Sequence, residues 1–160
     1  KTMKKIIAIL AAFVATTALF AQQTENEIYA KYNGKKGVST VYISPAMFKM
    51  MSKLPELEVA DDKDVDISTA LKSFNGMYVI EIEDSRLHKQ LVSDVNLMIQ
   101  NSKMELMTET NDGEESVKIY VEYNGDCIKN FVLLECEHDS ATFISITGEI
   151  DMKTLQQLMN

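Results

Sequence analysis

Three methionines within five residues are the part of this sequence that most resembles a set of metal ligands. In the segment SPAMFKMM, Met47, Met50 and Met51 have the spacing that a thioether site for Cu(I) uses, and soft ligands select that ion. On a helix with about 100° per residue, however, the three methionines share one arc with Phe48 and Leu54, opposite the lysines. This arrangement favours a helix that buries its methionines in a core, where methionine commonly fills gaps. Copper binding through the three methionines is the alternative.

An acidic segment has the spacing that opens a calcium-binding loop. Asp62, Asp64 and Asp66 stand at i, i+2 and i+4, as the first ligands of such a loop do. Ile67 occupies the position of the turn glycine, and Ser73 occupies that of the bidentate glutamate. Because two diagnostic positions fail, we interpret the segment as a solvated loop.

Recognisable catalytic motifs are absent from the sequence. Cys136-Glu137-His138-Asp139 contains ligand types, but strand alternation sends neighbours to opposite faces and no second cluster completes a metal site. His88 and His138 are the two histidines, and no nucleophile elbow or glycine-rich phosphate loop accompanies them. The sequence therefore predicts a protein that is not an enzyme, with no catalytic residue and no cofactor.

The N-terminal segment has the pattern of a secretory signal peptide. From Met3 the chain reads MKKIIAILAAFVATTALFAQQ, in which two lysines precede an apolar stretch that ends in a small-residue cleavage site. The apolar stretch, about fifteen residues, is shorter than the roughly twenty that cross a membrane. We expect residues 1–21 to be cleaved and residues 22–160 to form one soluble domain without a membrane span, periplasmic or secreted.

Acidic residues outnumber basic ones over the whole chain. There are 24 Asp and Glu against 16 Lys and Arg, which gives a formal net charge of −8. Phosphate backbones would be repelled, and the basic patch that nucleic-acid binding requires is missing. We therefore expect no nucleic-acid partner.

Two cysteines in an exported protein raise the question of a disulfide. Cys127 and Cys136 lie at opposite ends of one predicted strand, roughly 30 Å apart at the rise of an extended chain. Bridged cysteines have Cα atoms within about 7 Å. The spacing therefore argues against an intrachain disulfide.

Hydrophobic periodicity and turn residues predict an α+β fold with a largely antiparallel sheet, a meander of C-terminal strands, and helices mainly on one face. Ser44 is the expected N-cap of the methionine helix and Pro45 its first residue. Asp151 is expected to cap a last helix with Leu155, Leu158 and Met159 on its apolar side. The other helices are predicted at about 25–32, 66–75 and 85–102, and the strands at 38–43, 77–82, 104–110, 116–123, 127–136 and 141–147.

The hairpin around Asn124-Gly125 predicts how the sheet divides its side chains. If Tyr123 faces Asp126 across the turn, Val121 meets Ile128 on the returning strand. The face expected to pack on the helices then holds Val117, Ile119, Val121, Ile128, Val132 and Leu134. The opposite face receives Tyr120, Phe131, Leu133 and Phe143, which is too apolar for a purely solvated surface. Either a second layer of the chain covers it, or a protein partner, a second copy or an apolar ligand docks there.

Two segments carry a family resemblance. IYAKYNGKKGVSTVYISPAMFKMM and MELMTETNDGEESVKIYVEYNGDCIKNFVLLECEHDSATFISITGEIDMKTLQQL resemble the small exported bacterial proteins of domain-of-unknown-function family 4252. The resemblance implies a single signal-bearing α+β domain, and it supplies no catalytic or binding residue to carry over. Because members are often encoded near extracytoplasmic sigma-factor systems, it also implies an accessory role in an envelope response.

Three functional hypotheses remain. The first is an exported non-catalytic envelope domain that binds a protein partner or an apolar ligand. The second is periplasmic copper binding through Met47, Met50 and Met51. The third is a hydrolase whose catalytic residues follow no recognisable pattern.

Overall fold

The computed structural model describes residues 23–53 and 67–151, which form one six-stranded antiparallel sheet and four helices. The strands stand in the order β1-β2-β6-β5-β4-β3. The predicted α+β class, the antiparallel sheet and the meander of the last four strands are confirmed. The helices are α1 Glu25–Tyr32, α2 Pro45–Met51, α3 Ile67–Lys72 and α4 Leu87–Gln100. The strands are β1 Val38–Ile43, β2 Phe74–Ile82, β3 Glu105–Asn111, β4 Ser116–Asn124, β5 Cys127–Cys136 and β6 Ala141–Asp151.

Three predictions fall on the rest of the chain. The signal peptide, the loop with Asp62, Asp64 and Asp66, and the last helix after Asp151 lie outside the described residues. Asp151 itself ends β6.

The first helices begin where polar side chains satisfy free backbone amides. Thr24 caps α1 and forms a reciprocal capping box with Glu27. The Ser44 hydroxyl accepts from the Met47 amide and Pro45 is the first residue of α2, as predicted. Local sequence therefore fixes where these two helices start.

The main core lies between one face of the sheet and helices α1 and α4. The predicted apolar stripe of α4 supplies Leu91, Val95 and Met98, all buried. Ionic and hydrogen bonds tie α1 to α4 beside this core, since the Asp94 carboxylate accepts from Tyr32 Oη at 2.7 Å and from Lys31 Nζ at 2.6 Å. The remaining buried members are Ile28, Tyr32, Ile80, Ile82, Val132, Leu134, Ala141 and Phe143.

The predicted register of the β4–β5 hairpin is wrong. Asn124 pairs with Cys127, so the turn is formed by Gly125-Asp126 instead of Asn124-Gly125. Gly125 has φ of 63°, a backbone conformation that favours glycine. Beyond the turn the register shifts at Lys129, and Val121 therefore pairs with Phe131 and not with Ile128. A single extra residue in one strand exchanges the faces of all side chains that follow it.

The two cysteines are the first and last residues of β5, as predicted, and both are half-buried free thiols. Burial raises the pKa of the Cys136 thiol, with Lys118 opposing the shift and Glu135 adding to it. A thiol with a raised pKa is a weak nucleophile at neutral pH.

Candidate functional site

The sheet face opposite α1 and α4, called here the second face, is apolar across five strands. Strand registers place side chains on it in two neighbouring cross-strand rows. Neither row contains a charged or polar residue between β1 and β4. The first row is Val41, Val79, Ile144, Leu133 and Ile119, and the second is Ile43, Met77, Ile146, Phe131 and Val121.

The apolar rows have a defined boundary at each end of the strands. On one side the next row is mainly polar and consists of Ser39, Glu81, Thr142, Glu135, Val117 and Thr110. On the other side, Val121, Ile128 and Ile150 form a small buried cluster with Phe74 packed against it. The Phe48 ring of α2 contacts Phe74 with ring centroids 5.2 Å apart, so α2 closes that end.

The two rows are partly accessible. Val121 is buried and Val41 is 50% exposed, while the residues between them are half-buried. A sheet face exposed only to solvent usually carries polar side chains, whereas a continuous apolar patch of this kind marks a contact surface.

The structure separates the four residues that the sequence assigned to this surface. Phe131 and Leu133 lie on the second face. Phe143 is fully buried in the core beneath the helices, and Tyr120 is half-buried against the same core. The surface prediction is therefore wrong for Tyr120 and Phe143. For Tyr120 the physical reason is the register shift at Lys129, which also moves Val117, Ile119 and Val121 from the expected helix side to the second face. Phe143 pairs directly with Leu134 of β5, so both side chains lie on the helix side.

The sequence analysis did not assign Ile144 and Ile146 to the second face. Ser145, which lies between them on β6, is polar and yet lies on the helix side, as does Asn130 of β5. Ser145 and Asn130 are both buried, and the Ser145 hydroxyl donates to Asn130 Oδ1 at 3.2 Å. Asn130 Nδ2 in turn donates to the Glu25 carboxylate at the start of α1. These bonds satisfy the buried polar groups and hold the N-terminus of α1 against the sheet.

A cleft of about 650 Å³ opens beside this polar chain of hydrogen bonds. Its lining mixes amides with charges of both signs, including Glu25, Asn75, Lys103 and Asn130. Lys129 and Glu122, also in the lining, form an ion pair at 3.2 Å. The cleft offers hydrogen bonds to a polar molecule, whereas the second face offers apolar contact.

The expectation that the three methionines pack in the core is wrong for Met47 and Met50. Met47 is 43% exposed and Met50 is 54% exposed, while Met51 is half-buried. The buried residues of this segment are Phe48 and Ser52, which are four positions apart and therefore share one side of α2. The helix ends at Met51, and Leu54, the other expected member of the apolar arc, lies outside the described residues.

Three carboxylates form a cluster that the sequence did not indicate. Glu115, Glu135 and Glu137 place ligand oxygens within 4.8 Å of one another. The cluster forms because Ser116 pairs with Cys136, which brings the residue before β4 beside the end of β5. Burial, and then the nearby Glu115 carboxylate, raise the pKa of Glu135. His138 lies exposed in the adjoining turn, and Cys136 packs on the helix-side core.

Replacing Glu135 with glutamine is expected to raise the melting temperature at about pH 7 by about 1–3 °C. A carboxyl whose pKa is raised in the folded state binds its proton more tightly there, so its stabilising effect is present at low pH and is lost as pH rises through the folded pKa. The gain from Glu135→Gln should therefore disappear at about pH 3.5, where wild type is itself protonated. Glu114→Gln, in the exposed turn, is the control. Thermal melts at both pH values check this, and an equal gain at both would contradict it.

The fold and these surfaces define a small α+β domain whose most extensive candidate site is an apolar sheet face. The chain belongs to the family described as Domain of unknown function (DUF4252), which matches residues 32–158. No curated protein and no solved structure gives a match. None of the helices in residues 23–53 and 67–151 combines the length and hydropathy that a membrane crossing requires.

Proposed function

We propose that this chain is an exported, non-catalytic envelope domain that binds a protein partner through the second face. The two apolar rows across β1, β2, β6, β5 and β4 are the observation that carries this proposal. A small apolar ligand usually occupies a concave pocket, and a broad sheet face suits the apolar surface of another protein better. The leader-like N-terminus supports export, and the family resemblance supports an accessory role in an envelope response.

Site-specific photocrosslinking in living cells tests the partner surface. A photoreactive residue at Leu133 should crosslink to a discrete protein, whereas one at Lys89, exposed on α4, should not. Substituting Ile144, the neighbour of Leu133 across the strands, with serine should abolish the Leu133 crosslink while the protein stays folded. Binding of a fluorescent apolar probe without any crosslinked protein would favour an apolar ligand instead.

The stability of the Ile144→Ser variant shows whether the second face contacts a partner or is covered by another part of the same chain. If the second face contacts a partner, the isolated protein should lose about 1–2 kcal/mol, because the side chain is only half-buried. Loss of folding would show that the chain covers this face itself. An unchanged Leu133 crosslink in the folded variant would also contradict the proposal.

Export is tested separately by fractionation and by the mass of the mature protein. We expect the protein outside the cytoplasm, with Gln22 as its first residue. A cytoplasmic protein that keeps residues 1–21 would end the export part of the proposal.

Copper binding is the second candidate, and the exposure of Met47 and Met50 favours it. Anaerobic Cu(I) titration of wild type against a triple variant with leucine at positions 47, 50 and 51 tests it. Met107→Leu is the matched control, because Met107 is also exposed but lies on β3. Loss of uptake in the triple variant alone would establish the site, and equal uptake by all three proteins would rule it out.

A further inference from the structure

Strand β1 forms an edge of the sheet without the features that normally keep an edge from pairing. Among the described residues, β1 pairs only with β2, in unbroken register from Val38 to Ile43. Its sequence, VSTVYI, contains no charged residue, no proline and no bulge. Edge strands are usually blunted by such features because their free N–H and C=O groups otherwise pair with another chain.

The opposite edge, β3, has the protection that β1 lacks. β3 carries Glu105 and Glu109, and its register with β4 shifts next to Met107. Lys118 of β4 forms an ion pair with Glu109 at 3.1 Å, which adds a further charge to this edge. Of the two edges in the described sheet, β1 is therefore the one open to a further strand.

The orientation of the backbone shows which groups β1 offers. The Gly37 carbonyl accepts from the Glu83 amide at 3.4 Å, so it points toward β2. Backbone direction alternates along an antiparallel strand. The N–H and C=O groups of Val38, Thr40 and Tyr42 therefore point away from β2, along the open edge.

The side chains of β1 are complementary to a second copy of the same strand. Tyr42 stacks on Tyr78 at 4.9 Å between ring centroids and lies 6.0 Å from the Tyr29 ring, yet it remains 45% exposed. An antiparallel pair centred on Thr40 places Tyr42 beside Val38 of the other copy, and Val41 beside Ser39. Each large side chain then meets a smaller one, and aromatic with β-branched is a favourable cross-strand pair.

We infer that β1 is a self-association edge, which pairs antiparallel with β1 of a second copy about a two-fold axis at Thr40. The residues of β1 carry no charge, whereas β3 carries Glu105 and Glu109, so pairing of two β1 strands brings no like charges together in the ladder. The result is one continuous sheet across two copies, an isologous dimer. A six-residue strand pair is small, and we expect a dissociation constant on the order of 10 µM.

A proline at position 40 should block pairing between two β1 strands without unfolding the protein. Thr40→Pro removes an N–H that points away from β2, so the β1–β2 ladder keeps its bonds. The outer pairing loses both hydrogen bonds at the two-fold axis, one from each copy. Thr40→Ala is the matched control, because it also loses the hydroxyl bond to Asn33 but keeps the N–H. Sedimentation of the protein as cells produce it should show that wild type and Thr40→Ala dimerise and that Thr40→Pro does not.

Thiol crosslinking gives a second readout that does not depend on a proline. In a background with Cys127→Ser and Cys136→Ala, Thr40→Cys should yield a covalent dimer with a short bis-maleimide. Glu109→Cys, on the opposite edge, should yield none. The inference is overturned if wild type is monomeric at about 200 µM, well above the expected dissociation constant. It is also overturned if folded Thr40→Pro still dimerises or if crosslinking occurs through position 109.

Discussion

Replacing Gly148 with alanine is expected to lower the free energy of unfolding by about 3 kcal/mol, a large loss for a domain of this size. A Cβ at this position would lie 2.3 Å from the Ser73 carbonyl oxygen and 3.1 Å from the Phe74 Cα. Both are backbone atoms at the start of β2, and the Ser73 oxygen also accepts from the Glu149 amide at 2.9 Å. Since neither strand can move without breaking this contact, the methyl group must displace the β2–β6 pairing.

Gly76→Ala is the control for the Gly148 prediction, because it places a methyl group on the neighbouring strand. Its Cβ would lie 3.4 Å from the Thr147 side-chain oxygen, and a side chain can adjust where backbone cannot. We expect a loss of less than about 1 kcal/mol from Gly76→Ala. Urea unfolding of the two variants measures the difference, and equal losses would show that close backbone approach at Gly148 is not what selects glycine there.

Local signals in the sequence were enough to predict most elements of the fold. The cap at Ser44-Pro45, the stripe of α4 and the alternation of the last strands each depend on neighbours within a few residues. Such signals locate helices and strands and thereby the fold class. They do not determine which strand residues face the helices when the register contains an irregularity.

The faces of β4 and β6 could not be predicted, for two physical reasons. The bulge at Lys129 adds one residue to β5. The alternation gives no sign of it, because the four residues from Phe131 to Leu134 are apolar on both faces of the strand. Ser145 and Asn130 are buried as a hydrogen-bonded pair, so polarity at these positions suggests the wrong face. Neither effect can be read from periodicity alone.

The burial of the methionines in α2 was predicted wrongly for a different reason. Its apolar arc was wide enough to admit two packing orientations, and tertiary contact selected the one with Phe48 and Ser52 inside. The Phe48–Phe74 contact joins α2 to a strand that is distant in sequence. Met47 and Met50 are thus exposed because α2 turns Phe48 toward Phe74 and the buried cluster of Val121, Ile128 and Ile150.

The second face and the β1 edge are separable surfaces of one sheet. Partner docking uses side chains directed out of the sheet plane, whereas self-association uses backbone groups directed along it. Ile144→Ser removes apolar contact from the face without touching the edge, and Thr40→Pro changes the edge. Loss of partner binding in Ile144→Ser and loss of self-association in Thr40→Pro are therefore independent results, and each tests the role of one surface.

Phe143→Ala is expected to lower the free energy of unfolding by about 4 kcal/mol, because its ring is fully buried between the sheet and α1 and α4. Phe131 is the natural comparison, since the same substitution removes the same atoms from the neighbouring strand. Phe131 lies half-buried on the second face, and we expect Phe131→Ala to cost about half as much. Denaturant unfolding of both variants, with equal m-values required, gives the two numbers.

The ratio of these two losses tests whether the second face is closed in the isolated protein. Equal losses near 4 kcal/mol would mean that another part of the chain buries Phe131 as deeply as the helices bury Phe143, and partner docking on the second face would then be excluded. A loss at Phe131 well below that at Phe143 means that apolar surface remains accessible there. An accessible row of this kind is what a partner needs, and its burial would then stabilise the complex and not the free domain.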